Sequence, residues 1–166
     1  LLPGNDIGLA VTTLGSTAAR PKIIELSPGT YHLPGNGTTT IALTSGLTIR
    51  GRGAATFTGR FSATGVTDVV LEGFTMSRTT GSNTLPLLDF ISGKTSCTIR
   101  DMTISTGSLA TDIGVVRHQA GALTLDFQGN NFITGTPTAN TGILDFVATA
   151  VVGTFTQTGS LTVGTS

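Results

Sequence analysis

The spacing of apolar residues changes once along this chain of 166 residues. In residues 1–21, apolar side chains recur three or four positions apart, as on one face of an amphipathic helix. Asn5 or Asp6 stands where a helix N-cap is needed, and Pro21 is expected to end the helix. We therefore predict an N-terminal segment, 1–21, that contains one helix. Its apolar positions are Ile7, Val11, Leu14 and Ala18.

Beyond Pro21 the apolar residues alternate with polar ones, which is typical of β-strands. The stretch IIELSPGTYHL predicts strand, turn and strand, with Pro28-Gly29 as the turn. Short segments then recur at intervals of about 22 and later about 26–31 residues. The first series is LTIRG (47–51), VLEGF (70–74), CTIRD (97–101) and LTLDF (123–127). The second is TGRF (58–61), LLDF (87–90), VVRH (115–118) and ILDF (143–146), and the third is FTM (74–76), MTI (102–104), NNF (130–132) and LTV (161–163).

Three short strands in each repeat, with no helix between them, indicate coils wound into a parallel β-helix over residues 22–166. The run from IIELSPGTYHLPG through LTIRGRG, with the degenerate repeats after it, resembles the pectin-lyase-like superfamily. That resemblance covers residues 22 to 166 and implies a right-handed, single-stranded parallel β-helix. The expected fold is all-β, with three short sheets, five to six coils and an N-terminal capping helix. The superfamily contains phage tailspikes and polysaccharide lyases, so the likeness leaves the function open.

Composition removes several classes of function. Lys and Arg number 9 against 9 Asp and Glu, so the chain lacks the positive charge of a general nucleic-acid binder. Cys97 is the one cysteine, which excludes an internal disulfide framework and a cysteine-based metal cluster. No run approaches the roughly 18 apolar residues of a membrane span. We therefore expect no cofactor, no metal, no nucleic-acid partner and no membrane partner.

The outward positions of the first predicted sheet carry charges of alternating sign. They are Arg50, Glu72, Arg100 and Asp126. Opposite charges on neighbouring strands attract by roughly 0.2–1 kcal/mol per pair, so the series favours one coil register. If the chain is an enzyme, these four residues are its candidate catalytic groups, as a lyase or glycosidase. An arginine between the carboxyls should lower their pKa values and oppose general-acid chemistry, so we favour a non-catalytic role. No aspartate cluster matches the calcium ligands usual in lyases of the resembling superfamily.

The second predicted sheet repeats the alternation with Arg60, Asp89, Arg117 and Asp145. Aliphatic residues flank these charges at positions that alternation would place outward: Leu87, Ile91, Val115, Ile143 and Val147. A strand that is apolar on both faces is normally covered on both. We therefore predict a homo-oligomeric interface made of these five aliphatics with Asp89, Arg117 and Asp145.

Other residues whose side chains could take part in chemistry are assigned structural roles. Cys97 and His118 fall at inward positions, where we expect a buried thiol and a neutral buried imidazole. Phe90 and Phe146 are expected to lie inward on either side of His118. The third sheet is expected to show Thr75, Thr103, Asn131 and Thr162 outward, a ladder that could meet glycans or ice.

The function expected from these patterns is a non-catalytic structural or binding module of a spike, fibre or filament. It would lie outside the cell or on a virion surface and self-associate through its apolar sheet. A surface glycan is a second candidate partner. The alternative is a polysaccharide lyase or glycosidase of the β-helix fold, and a weaker one is an ice- or surface-binding threonine face.

Overall fold

The computed structural model describes residues 1–32, 40–78, 85–111, 114–137, 142–147 and 150–165. The chain is mostly β (63%), and its parallel strands stack as a β-solenoid of about 4 turns. The described elements are α1 (Ile7–Leu14), β1 (Lys22–Leu26), β2 (Gly29–His32), β3 (Thr40–Ala42), β4 (Leu47–Gly51), β5 (Ala55–Thr58), β6 (Arg60–Thr64), β7 (Val69–Glu72), β8 (Thr75–Ser77), β9 (Leu88–Ser92), β10 (Thr95–Arg100), β11 (Thr103–Thr111), β12 (Val116–His118), β13 (Gly121–Pro137), β14 (Leu144–Phe146) and β15 (Ala150–Thr165).

The strands form three faces, as the repeating segments predict. The first face contains β1, β4, β7, β10 and the first part of β13, and the second contains β2, β5, β8, β11 and the later part of β13. The third face contains β3, β6, β9, β12 and β14 and corresponds to the second predicted sheet, whereas the second face corresponds to the third predicted sheet. Strand β15 pairs with β13 along both of its parts and so adds a sixth rung to the first face. Because β13 runs through the corner without a break, the first two faces join in one 10-stranded sheet.

Alternation along each strand fills the interior with apolar side chains. On the first face the predicted inward residues are all buried: Leu47, Ile49, Val69, Leu71, Cys97, Ile99, Leu123 and Leu125. Phe57 and Phe61 stack inside the second coil, with ring centroids 4.7 Å apart. Burial of this continuous apolar column is the main stabilising contribution, because each coil alone could not cover its inner side.

Helix α1 covers the first coil and is shorter than predicted. Asp6 is the N-cap, and its carboxylate accepts a hydrogen bond from the Leu9 amide at 3.0 Å. The helix ends before Gly15, which adopts the left-handed conformation (φ +54°), and therefore does not reach Pro21. Ile7 and Val11 are buried against the core, whereas Ala18 lies beyond the helix.

Two of the predicted strand registers are wrong by two residues. In the pairing of β10 with β13, Cys97 lies opposite Leu125, so Thr98 rather than Arg100 faces Asp126. In the pairing of β6 with β9, Asp89 lies opposite Ser62 rather than Arg60. A shift of two residues keeps every side chain on its own face, so alternation alone cannot detect it.

The predicted threonine ladder of the second face is wrong at Asn131. Thr103 lies opposite Phe132, which is exposed, and Phe132 lies opposite Thr162. Asn131 is buried, and its side chain accepts from the Met102 amide at 3.0 Å and donates to the Gln128 carbonyl at 2.9 Å. Asn131 thus satisfies backbone groups at the corner between the first and second faces and is not available to a ligand.

Candidate functional site

The outer side of the first face carries a continuous charged column. Parallel pairing places Glu25, Arg50, Glu72, Arg100 and Gln128 on successive rungs. Arg50, Glu72 and Arg100 are therefore brought together as predicted. Gln128 takes the place predicted for Asp126, and Glu25 adds an acidic rung before Arg50.

Glu72 is held from both sides within this charged column. Its Oε1 accepts from Arg50 Nε, and its Oε2 accepts from Arg100 Nη1 at 3.0 Å. Its side chain is 10% exposed, compared with 35% for Arg50 and 44% for Arg100. The hydrogen bond and charge of Glu72 raise the pKa of Arg50. Both carboxylate oxygens thus accept hydrogen bonds from arginines, and neither is free to accept a proton from a substrate.

Glu25 closes the charged column at the capped end. Its carboxylate accepts a hydrogen bond from Arg52 Nη2 and lies 3.7 Å from Arg50 Nη1. The hydrogen bond from Arg52 is the largest cause of the lowered pKa of Glu25. The positive charges of Arg52 and Arg50 lower this pKa further. This residue carries a visible sequence signal, since the period of two in IIEL places it outward.

Asp126 lies in the neighbouring column, two positions from the rung predicted for it. Its Oδ1 accepts from Thr156 Oγ1 and its Oδ2 accepts from Gln128 Nε2. These two hydrogen bonds, first that of Thr156, lower the pKa of Asp126, and the charge of Arg100 adds a smaller effect. We expected an arginine to lower this pKa, but the Thr156 hydroxyl and the Gln128 amide are the main causes. Asp126 is therefore ionised near neutral pH and unsuited to donate a proton.

A shallow groove of about 410 Å³ lies beside the charged column. Its lining combines Val69 and Val70 with polar residues, which are Asp68, Ser96, Thr98, Thr124, Asp126, Thr154 and Thr156. Cys97 also borders it, but burial raises the pKa of this thiol to about 12, which leaves no reactive thiolate. Among the described residues, no group of three His, Cys, Asp or Glu side chains is placed to hold a metal ion. The groove offers hydroxyl and carboxylate hydrogen-bonding groups without an activated nucleophile.

The charges of the third face are also paired. Both oxygens of Asp89 accept from Gln119 Nε2, at 2.8 and 2.9 Å, and Oδ2 lies 3.4 Å from Arg60 Nη2. Asp89 is buried, and Arg60 also donates to the Pro86 carbonyl at 2.9 Å. Arg117 Nε lies 3.6 Å from Asp145 Oδ2 on the next rung, as predicted.

Three aliphatics of the predicted interface lie in the core of the same chain. Leu87 and Val115 are 0% exposed, and Ile143 is 9% exposed. Each stands just before its strand begins, at a corner where alternation no longer applies, so its side chain turns inward. Ile91 is exposed at 37% and Val147 is half-buried. The outer surface of the predicted interface therefore reduces to Ile91, Arg117, Asp145 and Val147, which we call the third-face patch.

His118 is buried, as predicted. Its Nε2 lies 3.2 Å from the Ala120 carbonyl oxygen, and Phe90 and Phe146 occupy the neighbouring rungs. The His118 and Phe146 rings meet edge to face, with centroids 6.4 Å apart. Phe146, expected inward and buried, is 42% exposed.

Sequence reasoning missed three polar residues with defined positions. Gln119 and Gln128 replace predicted arginine contacts to carboxylates, and nothing in the repeat alignment singles them out. Arg78 is buried at 2% exposure, although it follows a strand in a polar stretch of sequence. Arg78 lies one residue beyond the end of β8, where alternation no longer fixes the side of the chain, so the sequence carries no signal for its burial.

Comparisons with protein-family models, with curated proteins and with solved structures found no match. In the described ranges, no helix has both the length and the apolar character needed to cross a membrane.

Proposed function

We propose that the chain is a non-catalytic structural or binding module of an extracellular or virion-associated spike, fibre or filament. The proposal includes kinship with the pectin-lyase-like superfamily, on the sequence resemblance above. One observation carries it: the carboxylates that acid–base chemistry would require are occupied by donors of the same chain. Glu72 accepts from two arginines, Asp126 from Thr156 and Gln128, and Asp89 from Gln119.

Glycoside cleavage needs one carboxyl that holds a proton near neutral pH and a second that is ionised. The hydrogen bonds to Asp126 work against the first role by lowering its pKa. The guanidinium groups of Arg50 and Arg100 each donate to one oxygen of Glu72, so both of its oxygens are occupied. These contacts fit an inert charge ladder that fixes the coils, which is what a rigid spike requires.

Self-association through the third-face patch is the second part of the proposal. The patch combines an exposed isoleucine, Ile91, with the Arg117–Asp145 ion pair. An apolar side chain beside a charge pair suits a contact between two copies, because the charges set orientation while the apolar group is covered. The burial of Leu87 and Val115 within the chain makes this surface smaller than the sequence suggests.

The test is the oligomeric state at several protein concentrations, measured by sedimentation velocity. Wild type is expected to form an oligomer, and Ile91→Glu is expected to be monomeric because the new charge would be buried unpaired in the contact. Ile23→Glu is the matched control, since Ile23 is an exposed isoleucine on the first face. A stable monomeric wild type at high concentration, or equal effects of both variants, would sink the self-association proposal.

The groove beside Arg100 favours an alternative, a polysaccharide lyase or glycosidase of this fold. Screening uronate-containing and capsular polysaccharides for cleavage separates the two functions. The non-catalytic proposal expects no turnover with any of them. Turnover that disappears in Arg100→Ala, at unchanged stability, would replace it with the enzyme.

A further inference from the structure

Arg78 is buried at the corner just after β8 ends. It is 2% exposed, and Met76, near the end of β8, is fully buried as well. Its backbone N–H donates to the Ser105 carbonyl of the next coil at 3.0 Å. The stacking of coils therefore fixes the position of this residue.

The guanidinium of Arg78 has no counterpart in the described part of the chain. Its Nε, Nη1 and Nη2 atoms all lack a hydrogen-bond partner there. An arginine keeps its charge under any physiological condition and offers five N–H donors. Burying such a group without an acceptor is costly, so an acceptor bound at this position would stabilise the fold.

The surrounding charge is positive rather than negative. Burial lowers the pKa of Arg78, and repulsion from Arg60 lowers it further. Arg60 is itself buried, and the carboxylate beside it, Asp89, is shared with Gln119. Two buried guanidinium groups thus stand against one carboxylate that is already engaged.

Strand β8 pairs with β11 so that Ser77 lies opposite Ser105, which places Thr106 beside Arg78 on the next coil. Its hydroxyl is another unused donor. Thr106 is 0% exposed, and within the described ranges its Oγ1 has no partner. On the coil above, a Cβ added to Gly135 would approach Thr106 Oγ1 to 2.9 Å and Val115 Cγ2 to 2.4 Å. Position 135 is thus closely packed by Val115 and Thr106, and glycine there contributes no side-chain acceptor for the Thr106 hydroxyl.

We propose that the Arg78 guanidinium and the Thr106 hydroxyl form a binding site for one small oxyanion. Carboxylate, phosphate and sulfate share the required chemistry, two or more oxygens that accept from a planar guanidinium. A carboxylate could also come from the chain itself. Asp112 is the one acidic residue outside the described ranges, so the experiment must separate it from a free anion.

Equilibrium dialysis with radiolabelled sulfate and phosphate measures binding directly, and thermal unfolding with sulfate, phosphate or acetate at constant ionic strength measures its consequence. We expect one anion per wild-type chain and a Tm higher by roughly 5–10 °C at one hundred times the Kd. Arg78→Met should abolish both effects, and Thr106→Val should weaken binding. Arg52→Met, which removes an exposed arginine, is the matched control and should retain both.

Asp112→Asn distinguishes the two sources of charge. A variant that binds the labelled anion as wild type does supports the site. The proposal is overturned if wild type binds no anion, or if Asp112→Asn alone creates anion binding that wild type lacks. Because dialysis of wild type decides the first point, a failure of Arg78→Met to fold does not leave the question open.

Discussion

At the scale of single residues, Glu72 is the member of the charged column that binds two arginines, one on each neighbouring rung. Replacing it with glutamine would leave Arg50 and Arg100 facing a neutral amide, while the shape of the side chain is kept. We expect Glu72→Gln to lower the free energy of unfolding by about 1–3 kcal/mol, because a shielded carboxylate loses two charge-assisted hydrogen bonds. Urea denaturation followed by circular dichroism measures the change.

Glu25→Gln is the control for this prediction. Glu25 carries the same carboxylate in the same column, but its side chain is 46% exposed, so water and salt screen its contacts with Arg50 and Arg52. It should lose clearly less stability than Glu72→Gln, and 1 M salt should narrow the gap between them. Equal losses in both variants would show that shielding of Glu72 does not strengthen its ion pairs.

At the scale of elements, the corners between strands depend on stacked glycines. Gly65, Gly93 and Gly121 all have positive φ values, of +60°, +79° and +86°. A Cβ on Gly121 would lie 2.3 Å from the Gly93 carbonyl oxygen, so both conformation and contact require glycine there. We expect Gly121→Ala to destabilise the fold by about 2–5 kcal/mol, the combined cost of a left-handed alanine and a backbone clash.

Gly4→Ala separates the two costs. Gly4 has nearly the same φ, +87°, but an added Cβ would meet nothing within 4 Å. This variant should lose only about 1–2 kcal/mol, the conformational part alone. Denaturant midpoints of the two variants measured side by side make the comparison, and a Gly4→Ala loss as large as that of Gly121→Ala would mean that close approach of the coils adds nothing.

At the scale of the whole molecule, the two ends of the solenoid differ because a helix packs over the first coil and no described element packs over β15. Strand β1 has α1 packed over its coil, with Ile7 and Val11 buried. Strand β15 pairs with β13 on one edge, and within the described ranges no second strand pairs with it. Its Phe155 and Val163 are each 43% exposed. In a solenoid, stability at a rung comes from its neighbours, so β15 should open more often than inner rungs.

Hydrogen–deuterium exchange with mass spectrometry tests this difference. Amides of β15 should exchange faster than those of β7, which lies between β4 and β10. Amides of β1 should be intermediate, because it also has one strand neighbour but is covered by the helix. Equal protection of β15 and β7 in the monomer would contradict the proposed gradient.

The sequence predicts the three faces and most inward residues, because alternation depends only on local chemistry. Cys97 and His118 were placed inside on this basis, and both are buried. Register is a different quantity, since two strands can slide by two residues with no change in which side chains face the core. Asp126 therefore lost Arg100 as its direct partner, whereas Asp89 lies opposite Ser62 and still meets the Arg60 guanidinium at 3.4 Å.

Corners account for three further errors, at Leu87, Val115 and Asn131. Leu87 and Val115 lie one residue before their strands, where the backbone turns and the alternation of sides no longer holds. The buried position of Asn131 likewise depends on carbonyl and amide groups that only the folded corner brings together. The unpartnered guanidinium of Arg78 is a property of the packed corner and has no counterpart in spacing or composition.

The alternating charged column constrains how such a chain can grow. From Glu25 through Arg50 and Glu72 to Arg100, the sign repeats only after two coils. Duplication of a single coil would set two arginines or two glutamates on adjacent rungs, where like charges repel. Duplication of two coils together would preserve every attractive contact. Lengthening in pairs of coils is therefore the route that this surface favours, both for gene duplication and for an engineer who wishes to extend the solenoid.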